Sequence, residues 1–253
     1  MTSTEVEDRP EWTLYAVGEL ACASLPELRS QLSIPAILHE VRTEGDAVVA
    51  GALFDTFCAV VLLDARDNRG RALARVLVPF LRNRTVFPVV VAFGIPSALE
   101  AEWPLERVAL LATELRACVL RSAGPTPISM AEIAMLVVEP LHAPGLLCFD
   151  PEDARVVLAA PSAGLVHRWE THRSGVLAPL PDALGRDLRG PGVRSVLILV
   201  QVPEVDPLAR IDDALRAIVG VVDTDADVIA AGTLPDDVDE GVAWIAVVRD
   251  PVR

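Results

Sequence analysis

Residues 57–65, FCAVVLLDA, are apolar without interruption until the acid at Asp64. A strand with one face in water alternates polar and apolar side chains. An unbroken apolar run of this length therefore predicts a strand covered on both faces, as in a parallel sheet. The following GRALARVLVPFLRN has apolar positions at helical spacing, and VFPVVVAFGIP is a second buried strand closed by Gly94 and Pro96. This part of the chain predicts an α/β architecture.

The flanking segments extend the same pattern. LERVALLATELRACVL predicts an amphipathic helix that runs toward a short strand. Earlier in the chain, WTLYAVG predicts a strand, and LPELRSQL a helix capped by Ser24. AILHEVRT and DAVVAGAL predict two further strands joined by a turn at EGD. Strands and helices in this order predict a doubly wound parallel sheet in the first half.

The second half has longer elements. MAEIAMLVVEPLHAP predicts a helix that leads into the central stretch GLLCFDPED. GVLAPLPDALGRDLRGPG is rich in Pro and Gly, which favours a surface connection. After it, VRSVLILVQVP predicts a strand, PLARIDDALRAIV a helix, and DVIAAGTL and VAWIAVV two strands joined by PDDVDEG. The second half therefore predicts a smaller α+β domain.

Charge excludes several functions. The chain has 22 basic and 36 acidic residues, a net charge of −14, and every basic residue is arginine. Without lysine there is neither a Walker-type phosphate lysine nor a Schiff base. The negative balance argues against nucleic acid as a partner, because phosphate neutralisation needs a basic face. A cluster of arginines predicts a solvated helix face, with local binding of an acidic partner as the alternative. Its members are Arg66, Arg69, Arg71 and Arg75.

Compartment and metal content follow from similar observations. No segment supplies the ~20 uncharged apolar residues of a membrane span, and MTSTEVEDRPEW is too acidic for a secretory signal. We therefore expect a cytoplasmic protein with a flexible lead-in at residues 1–11. His167 and His172 fall on opposite strand faces, which argues against a shared metal. Buried reduced thiols are expected at four widely spaced cysteines, Cys22, Cys58, Cys118 and Cys148.

Two acids stand at the mouth of a helix predicted after the central stretch. Asp150 precedes Pro151, which suits the first helical position, and Asp153 follows in the first turn. One interpretation is structural: Asp150 is an N-cap, and Asp153 complements the helix dipole. The alternative is that the pair forms part of a functional surface.

The segment GLLCFDPEDARVVL resembles the synergy loop of the tubulin/FtsZ family, whose pattern is roughly GLINLDFADVRTVM. The glycine matches at Gly145 and the two acids at Asp150 and Asp153, whereas Cys148 replaces an asparagine. PSAGLVHR and DADVIAAGTLPDD are similar to the family's SNAGSALMG and DANIIFGAVIDEE, and the resemblance continues to the end of the chain. It implies a tubulin/FtsZ-like fold in which these four positions form an interface with the nucleotide pocket of a neighbouring subunit.

The resemblance weakens where that family holds GTP. A loop like GGAGNNAV is replaced by AVGELACASL, in which Gly18 remains and Glu19 adds a negative charge. The signature GGGTGTG is replaced by RDNRGRALARV, which retains Gly70 next to Asn68 and other polar residues. Glycines allow backbone N–H groups to approach phosphate. A remnant nucleotide site would use Gly18, Asn68 and Gly70; we expect no cofactor, with GTP and Mg²⁺ as the alternative.

These observations predict four parts of the chain: the lead-in (1–11), a degenerate nucleotide-binding-like domain (12–127), a core helix with the synergy-like loop (128–161) and an FtsZ-like C-terminal domain (162–253). The sequence stops after its last predicted strand, so the linker and terminal peptide by which FtsZ proteins engage membrane tethers are not expected.

Three functions remain open from the sequence. The preferred one is a non-catalytic protein that docks on FtsZ, or on another tubulin-like protein, through Asp150 and Asp153 and caps its filaments. The second is a divergent GTPase that self-associates, with arginines between Arg66 and Arg75 replacing the glycines. The third is a nucleotide-free scaffold with a different partner, favoured by Cys148 because a thiol cannot replace the hydrogen bonds of an amide.

Overall fold

The computed structural model describes residues 12–26, 29, 37–53, 58–85, 87–123, 128–142, 147, 150–173, 176–203, 206–222, 225–234 and 240–250. The described strands are β1 (Trp12–Val17), β2 (Ile37–Val41), β3 (Cys58–Asp64), β4 (Val90–Gly94), β5 (Cys118–Ser122), β6 (Ser162–Arg173), β7 (Val176–Leu177), β8 (Val193–Gln201), β9 (Asp227–Thr233) and β10 (Gly241–Arg249). The α-helices are α1 (Glu19–Ala23), α2 (Glu44–Leu53), α3 (Asn68–Arg82), α4 (Leu105–Leu115), α5 (Met130–His142), α6 (Pro151–Val157), α7 (Asp182–Leu188) and α8 (Pro207–Val219). A 3₁₀ helix spans Ser97–Glu102.

The ten described strands form one sheet in the order β2-β1-β3-β4-β5-β6-β10-β8-β9, with β7 paired to β6. Strands β1 to β6 are joined by parallel pairs, and β8 pairs with β9 in parallel. Strand β10 is antiparallel to both β6 and β8. Because β5 pairs directly with β6, the sheet continues from the first half of the chain into the second. We call the edge where the parallel strands end the carboxyl edge, and the edge where they begin the amino edge.

Helices cover both faces of this sheet. On one face, α2, α3 and α4 pack against β1, β3 and β4, and α7 and α8 pack against β8 and β10. On the other face, α1, α5 and α6 share one core with strands from both halves. All seven residues of β3 are buried, as its unbroken apolar run predicts. The α/β class and the doubly wound parallel sheet of the first half are confirmed.

One predicted strand is wrong. DAVVAGAL was expected to form a strand, but it belongs to helix α2. The preceding residues explain the difference, because Thr43 and Asp46 form a reciprocal cap: the Asp46 carboxylate accepts from the Thr43 N–H at 2.8 Å, and the Thr43 hydroxyl accepts from the Asp46 N–H at 3.1 Å. This capping outweighs the β-propensity of the two valines. Buried Ala47 and Ala50 then face the sheet at helical spacing.

Two smaller predictions have different outcomes. Ser24 was expected to cap the start of a helix. It is the C-cap of α1, and its hydroxyl donates to the Leu20 carbonyl at 3.2 Å. Helical residues follow it directly, so its role at the start of that helix stays a prediction. The segment expected to be a surface connection contains α7, whose Leu184 and Leu188 are buried. Apolar spacing over a single helical turn is too short to stand out among Pro and Gly residues. The lead-in at residues 1–11 lies outside the described residues.

Candidate functional site

Strand order locates the first candidate site. Strand β2 lies on one side of β1, and β3, the next strand along the chain, lies on the other side. The direction in which strands are added therefore reverses between β1 and β3. In open α/β sheets, ligands bind outside the carboxyl ends of strands at such a switch point. Gly18 follows β1, and residues 65–70 follow β3. The structure therefore brings together Gly18, Asn68 and Gly70, the three residues predicted as a remnant nucleotide site.

The two glycines at this point approach each other rather than enclose a ligand. Gly18 has φ +87°, and a Cβ on it would lie 2.8 Å from the Gly70 Cα and 2.1 Å from Oδ2 of Asp67. A Cβ on Gly70 would lie 2.9 Å from the Val17 carbonyl oxygen. Each glycine is therefore required by close packing between the β1–α1 turn and the start of α3.

Asp67 occupies the end of α3, where an anion would otherwise bind. It is the N-cap residue, and its Oδ1 accepts a hydrogen bond from the Gly70 N–H at 2.7 Å. The first N–H groups of a helix and its dipole favour an anion at this position. Here the anion is part of the chain itself, so the group that would hold a phosphate already has a partner.

Two nearby arginines, Arg66 and Arg42, are likewise paired with carboxylates of the protein. Arg66 forms a forked pair with the buried Asp64, at 3.0 and 2.9 Å, and this pairing raises the pKa of Arg66. Arg42 pairs with Glu19 and, at 2.9 Å, with Glu40. Glu19 lies directly after Gly18, as the sequence places it, and its charge is paired with Arg42.

Arg71 is also committed to the protein. Its guanidinium donates to the Ala65 carbonyl and to the Asn68 side chain, and it lies 5.2 Å from the ring centroid of Trp103. Burial, together with the nearby positive charges of Arg107 and Arg75, lowers its pKa. The arginines of α3 are thus only partly a solvated face, because Arg71 packs on a buried aromatic ring.

A small cavity lies at the carboxyl ends of β3 and β4. Its volume is about 170 Å³, and its walls include Asp64, Gly94 and Met130. The Met130 side chain lies so close to Gly94 that a Cβ there would be 2.9 Å from its sulfur. Pockets that enclose drug-sized ligands have volumes of roughly 300–1,000 Å³. The cavity enclosed by the described residues is smaller than this range.

The second candidate site is the acidic start of α6. Asp150 is the N-cap, and its Oδ1 accepts from the Glu152 N–H at 2.8 Å. Both Asp150 and Asp153 are exposed. The structure thus shows the capping role for Asp150, and both acids are accessible at the surface. Gly145 and Cys148, the other two predicted interface positions, lie outside the described residues.

Helix α6 leads away from the carboxyl edge. Its last residue, Val157, accepts hydrogen bonds at its carbonyl from Ser195 at 3.1 Å and from Arg194 at 2.9 Å, near the start of β8. The chain then enters β6, whose first residue pairs with the first residue of β5. The C-terminal end of α6 therefore lies toward the edge opposite the closed glycine turn, whereas Leu147, three residues before the N-cap of α6, pairs with Gly232 near the carboxyl end of β9.

A buried polar cluster between α5 and the sheet was missed by sequence reasoning. The Glu139 carboxylate accepts from the Gln201 amide at 2.9 and 3.1 Å and from the Thr233 hydroxyl at 3.4 Å. Burial raises the pKa of Glu139, although both hydrogen bonds oppose the shift. A Glu followed by Pro inside an apolar helix was the available signal. The cluster fixes α5 to the ends of β8 and β9.

The remaining sequence expectations concern thiols, metals and membranes. Cys22, Cys58 and Cys118 are buried and unbridged, as predicted. Within the described ranges, no group of three or more potential ligands is arranged to hold a metal ion. His167 lies 3.0 Å from the Asp187 carboxylate, in contact with α7. No helix in the described part of the chain is long and apolar enough to cross a membrane.

Comparisons with known proteins agree with the fold. No known protein family or curated protein matches the chain by sequence. By structure, it is similar to FtsZ from M. jannaschii in an empty dimer, with a TM-score of 0.67 and 12% identity over 96% of this chain and 89% of that chain. For TubZ from Bacillus thuringiensis in a GTPγS-form protofilament, the TM-score is 0.54 at 11% identity, over 96% and 88% of the chains.

A third similar structure is CetZ2 from Haloferax volcanii, in a GTPγS-bound protofilament. Its TM-score is 0.51 at 14% identity, over 96% of this chain and 93% of that chain. All three similarities extend over nearly the whole chain, although their low identities carry no information about individual residues. The sheet order, the helix layers and these similarities together show that this protein has a tubulin/FtsZ-like fold.

Proposed function

We propose that this protein is a non-catalytic, tubulin/FtsZ-like interaction protein that does not bind nucleotide. It docks on a nucleotide-bearing tubulin-like subunit through the exposed acids of α6. The observation that supports this proposal is at the switch point, where the Gly70 N–H donates to the Asp67 carboxylate and the Arg66 guanidinium pairs with Asp64. The part of the fold suited to phosphate is filled by the chain's own groups.

The energies oppose a phosphate at this position. A phosphate about 4 Å from one carboxylate is repelled by about 4 kcal/mol at an effective dielectric of 20. Displacing Asp67 from the helix end also costs the N-cap, about 1 kcal/mol. Binding with a Kd near 1 μM provides only about 8 kcal/mol in total. Glu19 and Asp64 are paired with Arg42 and Arg66, so these arginines are not free to offset the repulsion, and micromolar affinity for GTP is not expected.

The acidic helix supplies the other half of the proposal. Asp150 and Asp153 are exposed, and the sequence around them resembles a loop that reaches the nucleotide of a neighbouring subunit. The solved TubZ and CetZ2 structures with this fold are protofilaments. A chain that presents the acidic face but lacks the nucleotide face would bind the end of such a filament and accept no further subunit. The expected partner is FtsZ, another tubulin-like protein, or a second copy.

The experiment is binding to GTP-loaded FtsZ, followed by sedimentation and by the length of its filaments. The native protein should bind and shorten the filaments. The variant Asp150→Asn/Asp153→Asn removes two charges but keeps a residue type that caps helices well. It should lose binding while remaining folded.

A matched control is Asp182→Asn/Asp227→Asn, which removes two exposed charges elsewhere. It should bind like the native protein. Equal binding by the native protein and the α6 variant would rule out the acidic helix as the docking surface.

A further inference from the structure

An arginine-lined cleft lies at the amino edge of the sheet. Its volume is about 270 Å³, and its walls include the side chains of Arg82, Arg116 and Arg155, together with Thr85 and the residues that lead into β4. Among the described residues that line it, none is acidic. These three arginines come from three helices that are distant in sequence, and only the fold brings them together. Guanidinium groups gathered in this way suit carboxylates.

Local structure accounts for only part of this charge. Arg82 is in the last turn of α3, and Arg116 is the C-cap of α4. Each helix end carries roughly half a negative charge. Arg155 lies 3.3 Å from Glu152, but both side chains are largely exposed, so the pair is weak. A positive excess therefore remains in the cleft of a chain whose net charge is −14.

The sequence supplies an acidic segment next to this cleft. Residues 1–11 contain Glu5, Glu7, Asp8 and Glu11 and a single basic residue, Arg9. They precede β1, which begins at Trp12 on the amino edge. Only β3 lies between β1 and β4 in the sheet. The cleft extends to the residues before β6, four strand spacings from β1, or roughly 20 Å, whereas eleven residues can span roughly 36 Å. The segment is therefore long enough to reach the cleft.

We propose that the acidic segment at residues 1–11 docks in the cleft formed by Arg82, Arg116 and Arg155. The contact is intramolecular, so its effective concentration is in the millimolar range without any partner. Exposed ion pairs are individually weak and are screened by salt. The docked form should therefore predominate at low ionic strength and be lost at about 1 M salt, where the Debye length is near 3 Å.

A glutamate-specific protease measures this contact, because release of the segment exposes the peptide bonds after Glu5 and Glu7 to cleavage. The test compares the native chain with Arg82→Gln/Arg116→Gln/Arg155→Gln at low salt, with the released peptides quantified by mass spectrometry. We expect cleavage in the native chain to be roughly three- to tenfold slower. The difference should disappear at high salt. All three arginines are exposed, so we expect the variant to fold; its thermal unfolding provides the check.

The control is Arg69→Gln/Arg168→Gln/Arg186→Gln, which removes the same charge from exposed positions outside the cleft. It should be cleaved at the native rate. Equal rates for the native chain and the cleft variant would overturn the proposal, as would equal acceleration by the control.

One consequence rests on the function proposed above. Arg155 belongs to α6, the helix that begins with Asp150 and Asp153, so a docked segment would compete with a partner that covers this helix. The cleft variant should then bind GTP-loaded FtsZ more tightly than the native chain. The protease test contains no partner, so its failure and a failure of filament docking are distinguishable.

Discussion

The two edges of the sheet treat charge in opposite ways. At the carboxyl edge, two potential anion-binding groups already have partners within the protein: the Gly70 N–H donates to Asp67, and Arg66 pairs with Asp64. At the amino edge, three arginines line an open cleft, and elsewhere Asp150 and Asp153 stand exposed at the start of α6. Charges that are paired within the protein are not free for a ligand, whereas exposed charges remain accessible to a partner. Under the proposed function, recognition therefore uses groups other than those at the usual ligand-binding edge of this type of sheet.

The largest expected effect is at the closed turn itself. Gly18→Ala places a Cβ against Asp67 and the Gly70 backbone, at a φ of +87°. Backbone strain and overpacking together should lower the free energy of unfolding by about 3 kcal/mol. Gly192→Ala is the matched control: its φ is +74°, but nothing lies within 4 Å of the new atom, so only about 1 kcal/mol should be lost. Urea unfolding measures both, and equal losses would show that the turn is not tightly closed.

Much of the fold follows from the sequence, because the apolar residues of β3 and β4 form unbroken runs and those of α3 and α4 recur at helical spacing. Helix α2 does not, since its valines favour a strand and only the Thr43–Asp46 cap indicates a helix. The direct pairing of β5 with β6 has no local signal either.

The candidate sites divide in the same way. Gly18, Asn68 and Gly70 follow strands that are neighbours in the sheet, so sequence reasoning places them together. Asp67 precedes Gly70 by three residues, which is a capping pattern, but the close contact with Gly18 depends on tertiary packing. The arginine cleft has no sequence signature, because the sheet order alone joins its three helices.

The next effect concerns Glu139, the buried carboxylate near the carboxyl ends of β8 and β9. Glu139→Ala leaves the Gln201 amide and the Thr233 hydroxyl without this acceptor. Buried groups left unpaired in this way cost about 1–3 kcal/mol. Chemical denaturation should show that loss. No loss would mean that the cluster does not fix α5 to the sheet.

Glu139 should also make stability depend on pH. Burial raises its pKa in the folded protein, so the folded state binds more protons than the unfolded state between the two pKa values. Its stabilising contribution is complete below the ordinary value of 4.5 and is lost as pH rises through the raised pKa. The stability of Glu139→Gln relative to the native chain should therefore increase from pH 4 to pH 7. A difference that stays constant over this range would contradict the raised pKa.

A smaller effect is expected at Asp67. Asp67→Ala removes the N-cap of α3 and should lower the free energy of unfolding by about 1 kcal/mol. Asp67→Asn retains a capping oxygen and should change it by less than about 0.5 kcal/mol. Thermal unfolding distinguishes the two variants. If Asn were as destabilising as Ala, the carboxylate would contribute through its charge rather than through the hydrogen bond to Gly70.

The smallest effect on stability is expected on the other side of the comparison. Asp150→Asn/Asp153→Asn should change the free energy of unfolding by less than about 0.5 kcal/mol, because both acids are exposed and asparagine also caps helices. Urea unfolding provides the measurement. A loss of several kcal/mol would show that these acids stabilise the fold, as Asp67 does at the Gly18–Gly70 turn.

The central claim is that the carboxyl edge is closed to nucleotide, and calorimetric titration of GTP with Mg²⁺ into the native protein tests it most directly. The structure predicts no saturable heat up to about 1 mM GTP, which corresponds to less than about 4 kcal/mol of binding free energy. Saturable binding with a Kd near or below 1 μM would contradict the account, because Asp67 would then have to leave the Gly70 N–H to admit a phosphate.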